Sequence, residues 1–203
     1  MDHCFSHSRT YRYFTLGDPL KSKKLLIVMH GYGQLAEYFI RKFSESSKTH
    51  FVLAPEGPHR FYKQGYSGRI GASWMTKEAR EIDIADNISW LNALLKDLKS
   101  KYTFEQIEII GFSQGGATAA RWYYANPNAF DRLILWSSVF PPDIEKETIT
   151  KGSNNVYLVG TKDEFIDENL QKKEVLFYQN IGFTTHVYEG NHDIDAKVLS
   201  KIL

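Results

Sequence analysis

The chain has 203 residues, 42% of them hydrophobic, and a formal net charge of +1. That length suits one domain with a sizeable core, and the dispersed charge argues against nucleic acid or an anionic membrane as partner. No run of about 18 apolar residues is present, so neither a transmembrane helix nor stable membrane insertion is expected.

The first residues, Met1 to His7, lack the basic segment and apolar core of a signal peptide. The single cysteine, Cys4, has no internal disulfide partner, which points to a reducing, cytoplasmic setting. His3, Cys4 and His7 crowd one terminus, too little to predict a metal site. Residues 10–16 alternate like a half-exposed strand, an antiparallel edge. Leu25 to Met29 is a buried strand, followed by a helix over Leu35 to Ser47. Phe51 to Ala54 is the next strand, stopped by Pro55. Residues 55–75 are rich in Gly, Pro and aromatics and read as a long functional loop. Ile84, Ile88, Leu91, Leu95 and Leu98 put an apolar stripe on a long helix over Glu78 to Lys99.

Ile107 to Ile110 is an apolar, β-branched run. It ends in Gly111-Phe112-Ser113-Gln114-Gly115, and a helix-prone segment follows at once. A strand that turns this sharply into a helix strains its central residue and holds the serine hydroxyl proud of the sheet edge. The free N–H groups of the helix N-terminus then face developing negative charge. Beyond it lie a strand at Leu133 to Ser137, a polar loop over 139–155, a strand at Val156 to Val159, a helix over Glu164 to Asn180, a strand at Thr184 to Tyr188 and a terminal helix over Ile194 to Ile202. Strand–helix alternation of this kind implies a mostly parallel sheet with helices on both faces, whose active residues sit at the carboxyl ends of the strands.

A serine hydroxyl needs a base, and the base an orienting carboxylate. Of seven histidines, His192 is best placed, in the loop after the strand Thr184–Tyr188. His186 lies inside that strand, and His59 lies in the long loop, where it could contact substrate. Asp163 follows the strand Val156–Val159 and is the expected acid. Asp167 is its rival, read as a solvated residue of the next helix. Asp193 is read as the cap of the last helix. The order Ser113, Asp163, His192 is that of α/β-hydrolases. An oxyanion needs preorganised N–H donors. Gln114, after the serine, is one, and Tyr32, in the turn His30-Gly31-Tyr32-Gly33-Gln34, is the other. The His30 ring is expected to be structural.

These motifs together (His30-Gly31-x-Gly33, Gly111-Phe112-Ser113-Gln114-Gly115-Gly116, Gly160-x-x-Asp163-x-x-Ile166 and Gly190-x-His192) resemble the phospholipase/carboxylesterase family of α/β-hydrolases. That family includes small bacterial carboxylesterases and acyl-protein thioesterases. The resemblance runs from about residue 24 to the end. It implies Tyr32 and Gln114 as oxyanion donors, and Trp74 matches a tryptophan common in the family, here a candidate substrate-binding residue. Gln34 stands where members often carry aspartate, and the loops at 55–75 and 139–155 are shorter than usual.

The expected protein is a single-domain α/β-hydrolase over residues 1–203 with no large lid domain. It would act as a serine carboxylester hydrolase on short, soluble acyl esters through an acyl-enzyme, with no cofactor and a small-molecule ester as its partner. The loop 139–155 is too polar for an interfacial lid. A thioesterase using the same machinery is the alternative. A non-catalytic binding protein on the same fold is the alternative of another class. Oligomeric state is not legible.

Overall fold

The computed structural model describes residues 3–145 and 154–203. Nine strands alternate with five α-helices among these residues. The strands are β1 (Tyr13–Leu16), β2 (Lys24–Met29), β3 (Phe51–Pro55), β4 (His59–Gln64), β5 (Ser67–Ser73), β6 (Gln106–Phe112), β7 (Arg132–Trp136), β8 (Val156–Gly160) and β9 (Thr184–Tyr188). The helices are α1 (Ala36–Phe39), α2 (Arg80–Lys101), α3 (Gln114–Ala125), α4 (Glu168–Asn180) and α5 (Ala196–Ile202). Seven strands form one sheet in the order β1-β3-β2-β6-β7-β8-β9. All its pairings are parallel except β1 with β3, where the expected antiparallel edge lies.

The continuous apolar strands follow from burial on both faces. Leu25, Ile27, Met29, Ile109, Leu133 and Leu135 point into one core with Trp90, Leu91 and Trp122. Leu26, Val28, Ile110, Phe112, Ile134 and Trp136 alternate with them into a second core beneath Phe39, Phe43 and Leu199. Chain order reverses between β2 and β6, because β3 lies on one side of β2 and β6 on the other. A switch point of this kind opens a crevice at the strands' carboxyl ends. Met29 pairs with Gly111 there, so the turn after β2 and the Ser113 elbow lie side by side.

Four local expectations are corrected. The helix over Leu35 to Ser47 is instead one turn of α1 followed by two short 3₁₀ segments, Ile40–Phe43 and Ser46–Lys48. Hydroxyls compete there for backbone carbonyls: Ser47 Oγ donates to Ser44 O at 2.7 Å and Thr49 Oγ1 to Ser46 O at 3.3 Å. The loop at 55–75 contains a hairpin of β4 and β5, with Gln64 paired to Ser67 across Gly65-Tyr66. Gly65 has φ 68°, as a two-residue turn led by glycine requires. The helix expected from Glu164 begins at Glu168, because Asp167 caps it, accepting from the N–H groups of Asn169 and Leu170 at 2.9 Å. The last helix is capped by Asp195 rather than Asp193. Of the polar loop 139–155, expected not to form a lid, residues 146–153 lie outside the described residues.

Gly111 holds β6 against α3. A Cβ there would lie 2.5 Å from Gly116 Cα and 2.7 Å from Ala119 Cβ, contacts that neither backbone can relieve. Gly111→Ala is therefore expected to destabilise the fold by about 2 kcal/mol or more, an overpacking effect. Urea unfolding reads it, and an unchanged midpoint would show that strand and helix have slack.

Candidate active site

Ser113 sits between β6 and α3 with φ 52° and ψ −123°, a backbone state that L-residues rarely adopt and that costs of order 1–3 kcal/mol. The surroundings fix it. Its N–H donates to Trp136 O at 2.9 Å, and its carbonyl accepts from Gly116 N–H. Gly115 passes so close to β2 that a Cβ would meet Met29 O and His30 O at 2.4 Å. On the other side, a Cβ on Gly31 would come within 3.2 Å of Ser113 Cβ. The elbow and the turn after β2 are thus in contact.

His192 and Asp163 come together from two neighbouring strand ends. His192 Nδ1 lies 2.7 Å from Asp163 Oδ2. The other oxygen of Asp163 accepts from Phe165 N–H at 3.0 Å, and the carboxylate is fully buried. With Nδ1 bonded to the carboxylate, Nε2 is the ring nitrogen left for chemistry. The imidazole is packed between Phe112 and Phe165, with centroids at 4.8 and 4.7 Å. Phe112 immediately precedes Ser113, which brings the ring to the elbow. Among the described residues, no hydrogen bond joins the Ser113 hydroxyl to His192. The rival Asp167 is committed to capping α4.

Two loops are laced together beneath this pair. Lys162 N–H donates to Gly190 O at 2.9 Å and Thr161 N–H to Tyr188 O at 2.8 Å. A Cβ on Gly160 would stand 2.2 Å from Gly190 O. Trp136 Nε1 donates to Tyr188 Oη, which donates in turn to Asp193 O. Burial pushes the Tyr188 hydroxyl up to about 12, so it stays protonated as that donor. A tyrosine ending a strand carried no signal of this role in the sequence.

The two segments that carry the expected oxyanion donors are both tied to the end of β5 and the residues just after it. Gly33 N–H donates to Ala72 O at 2.8 Å and Ala72 N–H to Gln34 O at 3.0 Å, so β5 holds the turn that contains Tyr32. The Gln34 side chain accepts from Gly31 N–H at 2.9 Å, bracing the turn from inside. The Gln114 amide accepts from Trp74 N–H at 3.1 Å and donates to Met75 O at 2.9 Å. Among the described residues, neither Tyr32 N–H nor Gln114 N–H donates to another protein group. Trp74, expected beside the substrate, is instead fully buried, and its indole N–H donates to His30 O at 2.8 Å. With no exposed surface it props the turn rather than touching a ligand.

Other polar groups brace the same region. Glu56, buried, takes Arg12 at 3.0 and 2.9 Å and the Ala36 N–H at 3.2 Å. Asp143 meets the buried Arg121 of α3 at 2.7 and 2.6 Å, and that bonding holds its carboxyl down at about 2. His59 pairs with Asp83 at 3.1 Å. Among the described residues, no three His, Cys, Asp or Glu groups converge to hold a metal ion, and no helix is long and apolar enough to cross a membrane.

His30 is fully buried, as its structural role requires. Its Nδ1 donates to Gly31 O at 2.8 Å, and Nε2 accepts from Gly57 N–H at 2.9 Å. That accepting role needs the neutral ring, and burial pulls its pKa from 6.5 down to about 4. The unfolded chain then binds the extra proton first as pH falls. The His30 contribution is fully present above pH 6.5 and is lost as pH falls toward 4, by about 3 kcal/mol in all. Wild-type unfolding free energy should fall across this window more steeply than that of His30→Asn, by up to about one proton's slope. Equal slopes would mean that the buried ring already tolerates its charge.

The sequence profile of the phospholipase/carboxylesterase family matches residues 17–203. Among solved structures, esterase PE8 is similar with a TM-score of 0.72 at 19% identity, over 96% of this chain and 100% of that one. The carboxylesterase from Mesorhizobium loti gives 0.71 at 15%, over 94% and 93%. The Bacillus cereus carboxylesterase gives 0.70 at 17%, over 95% of each. At such identities the likeness is one of fold. No curated protein matches the sequence at a significant level. The profile match spans nearly the whole sheet and both strand ends that carry Asp163 and His192, and on it the chain belongs to the phospholipase/carboxylesterase family of α/β-hydrolases.

Proposed function

We propose that this chain is a single-domain serine carboxylester hydrolase acting on short, water-soluble acyl esters. The observation that carries the reading is the 2.7 Å contact of His192 Nδ1 with the buried Asp163 carboxylate, beside a serine held at φ 52°. Ser113 Oγ attacks the ester carbonyl carbon while His192 Nε2 takes its proton. The carbonyl oxygen becomes an oxyanion, which accepts from the N–H groups of Tyr32 and Gln114. Its collapse expels the alkoxide, which leaves as the alcohol with the proton from His192. Water, deprotonated by the same nitrogen, then attacks the acyl-serine; Ser113 Oγ leaves with the proton returned by His192, and the carboxylic acid departs. Asp163 fixes the tautomer and stabilises the imidazolium throughout. The free, exposed Cys4 fits a reducing cytoplasm.

Ser113→Ala should lower kcat by on the order of 10⁶ without loss of fold. Asp163→Asn should lower it by roughly 10³ to 10⁴. Asp167→Asn should be nearly silent, because asparagine caps a helix as well as aspartate does. Rates on p-nitrophenyl esters check all three, and a silent Asp163→Asn with a crippled Asp167→Asn would move the acid. A fluorophosphonate probe should label Ser113 and no other serine. An unlabelled protein would be a binding protein on this fold.

A further inference from the structure

A cleft of about 670 Å³ opens beside the turn that carries Tyr32. Its walls include Gly33 and Gln34 of that turn, the apolar side chains of Phe39 and Ile70, and three cations, Lys42, Lys63 and Arg69. Among the described residues, no aspartate or glutamate lines it. Lys42 already pairs with Asp193 at 2.8 Å. Among the described residues, no acid pairs with Lys63 or Arg69. The Lys63 ammonium leans over the turn, where a Cβ on Gly33 would stand 3.5 Å from Nζ.

Three links tie the walls of the cleft to the site. Gly33 follows Tyr32 directly. Phe39 stacks on Phe112, next to Ser113, with centroids 5.9 Å apart. The Lys42–Asp193 pair adjoins His192. Gly31 is in contact with Ser113, and two Cα steps of about 3.8 Å lead from it to Gly33. The Gly33 wall of the cleft therefore lies within roughly 12 Å of the serine, the reach of a medium-length chain attached to a carbonyl held there.

We infer that this cleft, formed by Phe39 and Ile70 with the cations Lys63 and Arg69, is a substrate subsite for an ester bearing an anionic group a few methylenes from the reacting carbonyl. The apolar wall accepts the methylenes, and the two cations without counterions accept the anion. This rests on the reading of Ser113 as an ester-cleaving nucleophile. A neutral ester would leave the cations solvated and gain nothing from them. A carboxylate on the acyl side and one on the alcohol side have the same chemistry, and only the products differ.

The test compares mono-p-nitrophenyl adipate and suberate with their methyl-capped diesters, following p-nitrophenolate. A second arm compares 6-acetoxyhexanoate with its methyl ester by pH-stat, which puts the anion on the alcohol. We expect kcat/KM about tenfold higher for the anionic member in one arm, a size suited to two exposed cations. The ratio should fall toward one in about 1 M salt, where the Debye length is about 3 Å. It should fall likewise in Lys63→Gln/Arg69→Gln. Binding of monomethyl and dimethyl adipate to Ser113→Ala, by calorimetry, separates the two readings. Hydrolysis of the neutral esters with no charge preference in either arm overturns the subsite and leaves the esterase reading standing. No hydrolysis, with tighter binding of the monoanion that the double variant abolishes, supports the subsite and overturns the esterase reading. No hydrolysis and no difference in binding overturns both.

Discussion

Everything at this site depends on how closely α3 approaches the ends of β2 and β6. The elbow at Ser113 is held in an unfavourable backbone state, and strain of that size persists only where the surroundings leave no other path. Here the path is closed by backbone. Gly115 lies against the carbonyls of Met29 and His30, and Gly111 against Gly116. A side chain at either position would lift the helix off the sheet. The hydroxyl direction at Ser113 and the position of the Gln114 N–H are consequences of that one contact.

The β4–β5 hairpin extends the same constraint sideways. The run Ala72 to Met75 bonds to both halves of the elbow region: its first residue to Gly33 and Gln34, its later ones to the Gln114 amide. The turn that carries Tyr32 and the side chain of Gln114 are thereby both tied to the end of β5 and the residues just after it. The proposed oxyanion role calls for such fixing, since the donors must be set before charge develops. Trp74 and His30 fill the space beneath, and the neutral His30 ring ties the turn to Gly57.

The His192 loop is held by different means, through polar contacts rather than bare backbone approach. Trp136 on β7 reaches across to Tyr188, and Tyr188 to the carbonyl of Asp193. Lys42 reaches the Asp193 carboxylate from the opposite side. The histidine is therefore braced from the sheet and from the segment after β2, while its ring rests on Phe112 and Phe165. Lys42 also lines the cationic cleft, so one side chain belongs to both regions.

The sequence by itself determined the strand–helix alternation and the two-faced burial, because continuous β-branched runs can be satisfied only inside a covered parallel sheet. It also marked Ser113, Asp163 and His192 as residues at strand ends, and the chain order then brings the last two within hydrogen-bonding distance. The hairpin was written locally in Gly65-Tyr66, but the aromatic and glycine-rich composition around it reads equally as loop. The broken helical segment before β3 was written in Ser47 and Thr49, whose hydroxyls take carbonyls that a helix would need. Tertiary structure alone decided the rest. Nothing near Trp74 in sequence says that it is buried under the turn, since burial depends on α2 and β2 meeting across the core. Nothing in Glu56, Tyr188 or Gln34 marks them as braces, because each acts through a partner distant in sequence or through a turn whose shape the sheet sets. The gathering of Lys42, Lys63 and Arg69 around one cleft is of the same kind: three cations unremarkable in a chain of near-zero net charge become a charged site only when the hairpin folds over the turn.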